Sequence, residues 1–130
     1  MPVELALLLW SIAVYALYLG AQSLIYRWRM GLWYAQTARD ELPRSEGVLL
    51  GRAERALRNF NETYVPFVVL LLVAHLARPG EPLVYWGALT WFAARILYLP
   101  LYLAGVFLLR SLVWCVSAIG LFLMFVGLLF

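Results

Sequence analysis

Arg55, Asn59 and Glu62 are spaced i, i+4, i+7, and so share one face of a helix. Arg95, Tyr98 and Tyr102, spaced i, i+3, i+7, share a face of another. Both groups lie in or beside apolar stretches. An ionisable side chain at such a position is costly and usually faces a bundle interior or a water-filled cavity. Such a set offers charge pairing and hydrogen bonding. The sequence carries no phosphate-binding glycine loop, zinc motif or serine triad, so no metal ligand is assigned. The single cysteine, Cys115, excludes an intramolecular disulfide framework and a cysteine-built metal site. It sits in an apolar run and reads as core or lipid-facing packing.

The elements that position these residues follow from composition. Of 130 residues, 65% are hydrophobic and 13% charged. A soluble domain of this size cannot hide so much apolar surface, and lipid supplies the missing solvent. The net charge of +3 comes from arginine without any lysine, a hint of a GC-rich bacterial genome. Most of these arginines flank apolar spans, which argues against nucleic acid as the partner. Glu4 is the only charged side chain before a long first run, so that run reads as a retained helix rather than a signal peptide.

Residues 1–130 read as a single all-α domain, an integral membrane four-helix bundle. Val3 to Ile25 reaches about 34 Å as a helix, enough to cross a bilayer. Tyr26, Arg27, Trp28 and Arg29 form an aromatic and basic collar typical of a membrane interface. Arg39 to Gly51, with Pro43 and Gly47 as breakers, reads as a loop. The apolar run Tyr64–Leu76 is too short to cross alone. A span of about 20 residues must start near Leu57, which brings Arg58, Asn59, Asn61 and Glu62 to membrane depth. Arg78-Pro79-Gly80-Glu81-Pro82 is a tight turn. The third span covers about 83–102, Gly105 marks a break, and the fourth covers about 110–130. Gly120 and Gly127, seven apart, offer a smooth face where another helix can approach closely.

Short connections make consecutive helices antiparallel neighbours. The first and third connections and their helix ends carry Arg27, Arg29, Arg39, Arg44, Arg52, Arg55, Arg58 and Arg110, whereas the opposite side carries Arg78. By the positive-inside rule both termini face away from the cytoplasm of a cell (inner) membrane. Glu62 lies 14 residues before Leu76, and Arg95 lies 12 after Leu83. That places them within about one helical turn in height and makes a Glu62–Arg95 ion pair geometrically reasonable. Arg110 starts the fourth span on the same side, so three helices can converge on one polar pocket. Pro66 and Pro100 free the carbonyls of Glu62 and Ile96 beside it. The same residues admit plainer readings. Arg52, Glu54, Arg55 and Arg58 fit a solvated helix end, and Tyr98 and Tyr102 fit an interfacial aromatic belt. Arg95 fits a structural partner of Glu62, and Arg110 a snorkelling anchor.

Arg55-Ala56 followed by Asn59 and Glu62 resembles the RA-x-x-N-x-x-E signature of the MAPEG superfamily, membrane-associated proteins in eicosanoid and glutathione metabolism. Ala94-Arg95 followed by Tyr98 and Tyr102 resembles the A-R-x-x-Y-x-x-x-Y pattern of that family's third helix. Tyr102 through Leu109-Arg110-Ser111 to Trp114 is similar to a bacterial branch. The resemblance implies a homotrimer that binds glutathione as co-substrate between subunits, toward the cytoplasmic side, with a lipophilic substrate entering from the membrane lipids. Arg55, Asn59, Glu62, Arg95, Tyr98 and Tyr102 would line the glutathione site, and Arg110 is the nearest candidate for the thiol-activating arginine. Arg110 stands one residue farther from the tyrosine pair than the matching arginine of the leukotriene-synthase branch. A residue turns a helix by about 100°, so the direction of Arg110 rests on the connection before it.

Two function classes follow. One is a glutathione-dependent transferase or peroxidase acting on lipophilic electrophiles through an arginine-stabilised thiolate. The other is a non-catalytic lipid-binding or scaffold protein of the same fold.

Overall fold

The computed structural model describes residues 1–38 and 47–130. They form five helices: α1 (Val3–Met30), α2 (Leu32–Gln36), α3 (Gly47–Ala77), α4 (Pro82–Ala104) and α5 (Phe107–Leu129). All but α2 are long and apolar enough to cross a membrane. The described chain is all-α, a membrane bundle of four long helices with one short connecting helix.

The helices run longer than the apolar stretches that announce them. α1 continues through the collar to Met30 and stops at Gly31, whose φ of 89° no helix accepts. α3 departs most from expectation. Gly47–Gly51, expected as loop, is its first turn and more, and the helix begins ten residues before Leu57. Residues 39–46 of that expected loop, including Pro43, lie outside the described residues. The reason for the early start is periodicity. Leu50, Ala53, Ala56 and Phe60 are fully buried and recur at helical spacing, so an apolar seam extends well before the uninterrupted apolar run. Arg55 and Arg58 occupy the outward faces of the same turns. α4 starts with Pro82 in its first turn, where a missing N–H costs nothing, and ends at Gly105 in the left-handed conformation. α5 then begins at Phe107, three residues ahead of Arg110.

Two kinds of packing hold the helices together. Between α1, α3 and α4 lies an aromatic stack. Phe67 lies against Trp91 with ring centres 3.8 Å apart, Tyr18 packs on Phe60 at 4.5 Å, and Tyr15 stacks on Tyr64 at 5.7 Å. Two pairs of its polar groups meet locally, whereas the Trp91 indole N–H is buried without a hydrogen-bond partner among the described residues. The Tyr64 and Ser11 hydroxyls are 2.9 Å apart, and the Tyr18 hydroxyl donates to the Arg95 carbonyl. Between α4 and α5 the packing is backbone on backbone. A Cβ at Gly120 would stand 2.6 Å from the Gly87 carbonyl oxygen, and one at Gly127 would stand 2.8 Å from Leu83 Cβ. The expected smooth face of α5 is therefore the one that α4 occupies.

Arginines fasten helix ends. Arg52 of α3 donates to the Leu103 carbonyl at 3.2 Å, and Arg78 donates to the Gly127 carbonyl at 3.2 Å. Each cation thereby meets the negative end of a helix dipole, where carbonyls lack intrahelical partners. The Arg52 contact ties the start of α3 to the α4–α5 turn, next to the polar cleft described below.

Candidate functional site

An open cleft of about 420 Å³ lies at the arginine-rich end of the bundle. α3 contributes Arg55, Arg58, Asn59 and Glu62 to its wall, and α4 contributes Tyr98 and Tyr102. α5 closes the far side with Arg110, Ser111, Trp114 and Cys115. Six of the seven residues singled out in the sequence thus meet in one place. They meet because 3.6-residue periodicity keeps each set on a single helix face, and the tight Arg78–Pro82 turn sets α3 and α4 antiparallel.

The seventh, Arg95, lies behind the wall. It is fully buried and does not line the cleft. Its guanidinium donates to Asn59 Oδ1 at 2.8 Å and to Thr63 Oγ1 at 2.6 Å, and it lies 5.0 Å from the centre of the Tyr98 ring. The expected Glu62–Arg95 ion pair is not formed. Asn59 and Thr63, four residues apart, present the α3 seam that faces α4. Glu62 is one residue, about 100°, away from Thr63 and exposed on the cleft side.

The α4–α5 turn decides the direction of Arg110. Gly105 takes a φ of 79°, the helix restarts at Phe107, and the Arg110 guanidinium comes to rest 4.5 Å above the centre of the Tyr102 ring. That cation–π contact holds a flexible side chain inside the cleft. Tyr98 and Tyr102 meet edge to face, with ring centres 5.5 Å apart. The two tyrosines thus stand between the buried Arg95 and the half-buried Arg110.

Sequence reasoning passed over part of the wall. Arg58, expected at membrane depth or on a solvated helix end, lines the cleft beside Arg55. Ser111, Trp114 and Cys115 stand one, four and five residues after Arg110, so a helical wheel centred on Arg110 would have found them. Cys115, expected as core or lipid-facing packing, is exposed and lines the cleft wall. Thr63 could have been found as the i+4 neighbour of Asn59. Among the described residues no cluster of histidine, cysteine or carboxylates is arranged to hold a metal.

The wall brings three guanidinium groups and one carboxylate around a single cavity that also offers amide, phenol and indole groups. It suits a small molecule with more than one anionic group and one cationic group. The MAPEG family model matches residues 7–130, nearly the whole chain and all of the cleft. The chain belongs to the MAPEG family. No curated protein and no solved structure matches it. Family membership agrees with the four long apolar helices and identifies this chain as a MAPEG-type membrane protein. In this MAPEG chain the two sequence signatures occupy facing helices, α3 and α4, and α5 supplies the third wall.

Proposed function

We propose that this MAPEG-family protein is a glutathione-dependent transferase or peroxidase acting on a lipophilic electrophile dissolved in the membrane. The observation that carries the reading is the charge pattern of the cleft: Arg55, Arg58 and Arg110 around Glu62. Glutathione has two carboxylates and one ammonium group, the complementary pattern. In this reading Arg55, Asn59, Glu62, Tyr98 and Tyr102 hold glutathione, Arg95 supports them from behind, and Arg110 faces the sulfur.

Only the thiolate is a strong nucleophile, and a nearby guanidinium favours it. In the transferase reaction the thiol proton leaves to solvent and the sulfur lone pair forms a bond to an electrophilic carbon. A leaving group departs with the electron pair of the broken bond. In the peroxidase reaction two glutathiones are oxidised to the disulfide while a hydroperoxide is reduced to an alcohol and water. The exposed apolar faces of the four long helices give a lipophilic substrate access from the bilayer. A homotrimer, with a neighbouring subunit covering the open side of the cleft, completes this reading, and the cleft faces the cytoplasm of a bacterial inner membrane.

Glutathione added to the detergent-purified protein should raise its unfolding temperature and generate thiolate ultraviolet absorbance. Absence of both effects rejects the proposal. The same three arginines also favour an anionic lipid headgroup held without turnover. In that case anionic lipid stabilises the protein and glutathione does not.

Glu62→Gln should weaken glutathione binding about tenfold, the worth of one hydrogen bond to a charged partner. Calorimetric titration checks this. With N-acetylglutathione, which has lost the ammonium group, the wild type and Glu62→Gln should bind alike. A persistent difference would place Glu62 elsewhere in the recognition.

A further inference from the structure

Arg95 carries a full charge into the interior between α1, α3 and α4 and is wholly buried there. Its backbone carbonyl accepts the Tyr18 hydroxyl at 2.6 Å. Its guanidinium donates to Asn59 Oδ1 and Thr63 Oγ1, one turn apart on α3. Arginine has five N–H donors and no acceptor, so it dictates the polarity of whatever it touches. Asn59 must give Arg95 its oxygen. That leaves the Asn59 NH2 for the cleft, of which Asn59 is a wall residue. Thr63 accepts from Arg95 and so directs its own proton elsewhere, to the Phe60 carbonyl 3.3 Å away. Donors therefore run in one direction, from Arg95 to Thr63 to Phe60, with the Asn59 oxygen held alongside.

Two anchors matter more than one. A guanidinium bound at one nitrogen can pivot, whereas one bound at two nitrogens has a fixed plane. The Tyr98 ring, 5.0 Å from it, packs against the same group. A bond from a charged donor is roughly twice as strong as a neutral one, which sets the orientation of the Asn59 amide firmly.

We propose that Arg95 and Thr63 form a positioning pair that fixes the Asn59 amide with its NH2 toward the cleft. The ligand group bound at Asn59 is then an acceptor, a carboxylate or carbonyl oxygen, and a donor is rejected there. The inference deepens the glutathione reading and rests on it for the identity of the ligand, but the orientation of Asn59 stands without it.

The test uses the full chain in detergent with 15N-labelled asparagine; Asn59 and Asn61 are its two asparagines. Asn59→Asp keeps the shape and still offers Arg95 an oxygen, but it turns oxygen rather than NH2 to the cleft. Glutathione affinity should fall by about tenfold or more while the unfolding temperature holds or rises. Unchanged affinity overturns the proposal. Thr63→Val, of the same shape without the hydroxyl, should move the Asn59 side-chain amide resonances and leave those of Asn61 in place. It should weaken glutathione about threefold to tenfold, acting on KM more than on kcat. Thr63→Ser, which restores the hydroxyl, should recover both. A Thr63→Val protein that melts earlier yet keeps its glutathione affinity and its Asn59 resonances shows a merely structural threonine and overturns the proposal. If the wild type binds no glutathione, the functional reading fails alone. The positioning claim is then decided by the ligand-free spectra, and Asn59 resonances that stay put in Thr63→Val overturn it.

Discussion

Arg110→Ala should shift the pH profile of glutathione-dependent turnover upward by about two pH units and leave most glutathione binding intact. A free thiol has a pKa of about 8.5, so near pH 7 it is only about 3% thiolate. Lowering that value by about two units makes thiolate the majority form near neutrality and requires about 2.7 kcal/mol of preferential stabilisation. A guanidinium about 4 Å from the sulfur supplies about 4 kcal/mol at an effective dielectric constant of about 20, so one arginine is enough. Without it, turnover at pH 7 should fall by about 25-fold from the loss of thiolate alone. Raising the pH should restore much of the rate, because alkali then does what the arginine did. Arg110→Lys should retain part of the effect, since it keeps the charge but not the planar contact over Tyr102. The measurements are rate against pH and thiolate absorbance in the presence of glutathione. An Arg110→Ala profile that superimposes on the wild type removes Arg110 from the chemistry and leaves the cleft as a binding site.

Gly120→Leu should disrupt the bundle itself. The first added carbon would stand 2.6 Å from the Gly87 carbonyl oxygen and 2.8 Å from the Trp91 backbone nitrogen. Neither is the end of a flexible side chain, so α4 and α5 have to separate along their length. Overpacking a tight contact usually costs about 1–3 kcal/mol, and a leucine forced between two backbones belongs at or above the upper end. The consequence reaches the cleft, because α5 carries Arg110 and the α4–α5 turn aims it. Unfolding in detergent should occur at a clearly lower temperature, and glutathione-dependent stabilisation should be lost with it. Ile119→Leu, one residue away on the exposed side of α5, should melt like the wild type. A Gly120→Leu protein as stable as that control would mean the glycine contact does not hold these helices.

Much of this architecture is written in the order of residues. Long apolar runs with arginine at their ends have no other stable arrangement than helices across a lipid layer, since every backbone group must be satisfied within its own segment. The Gly120–Gly127 spacing announced a close helix neighbour, and the structure identifies that neighbour as α4. Asn59 with Glu62, and Tyr98 with Tyr102, were legible as shared faces because helical periodicity is a local property. The start of α3 was not, because Arg52, Arg55 and Arg58 dominate a count of charges while the seam from Leu50 to Phe60 shows only as a period.

What the sequence determined by itself is the four membrane-length helices, without the short α2, and which side chains share a face. What it left open is rotation: the facing of one helix toward another depends on packing around its whole circumference. That packing made Asn59 and Thr63, and not Glu62, the partners of Arg95. It buried Arg95 behind the wall it was expected to line, brought Cys115 onto that wall, and let one left-handed glycine at the α4–α5 turn point Arg110 at Tyr102. Each outcome is fixed by contacts between residues far apart in the chain, and short-range spacing carries no information about those.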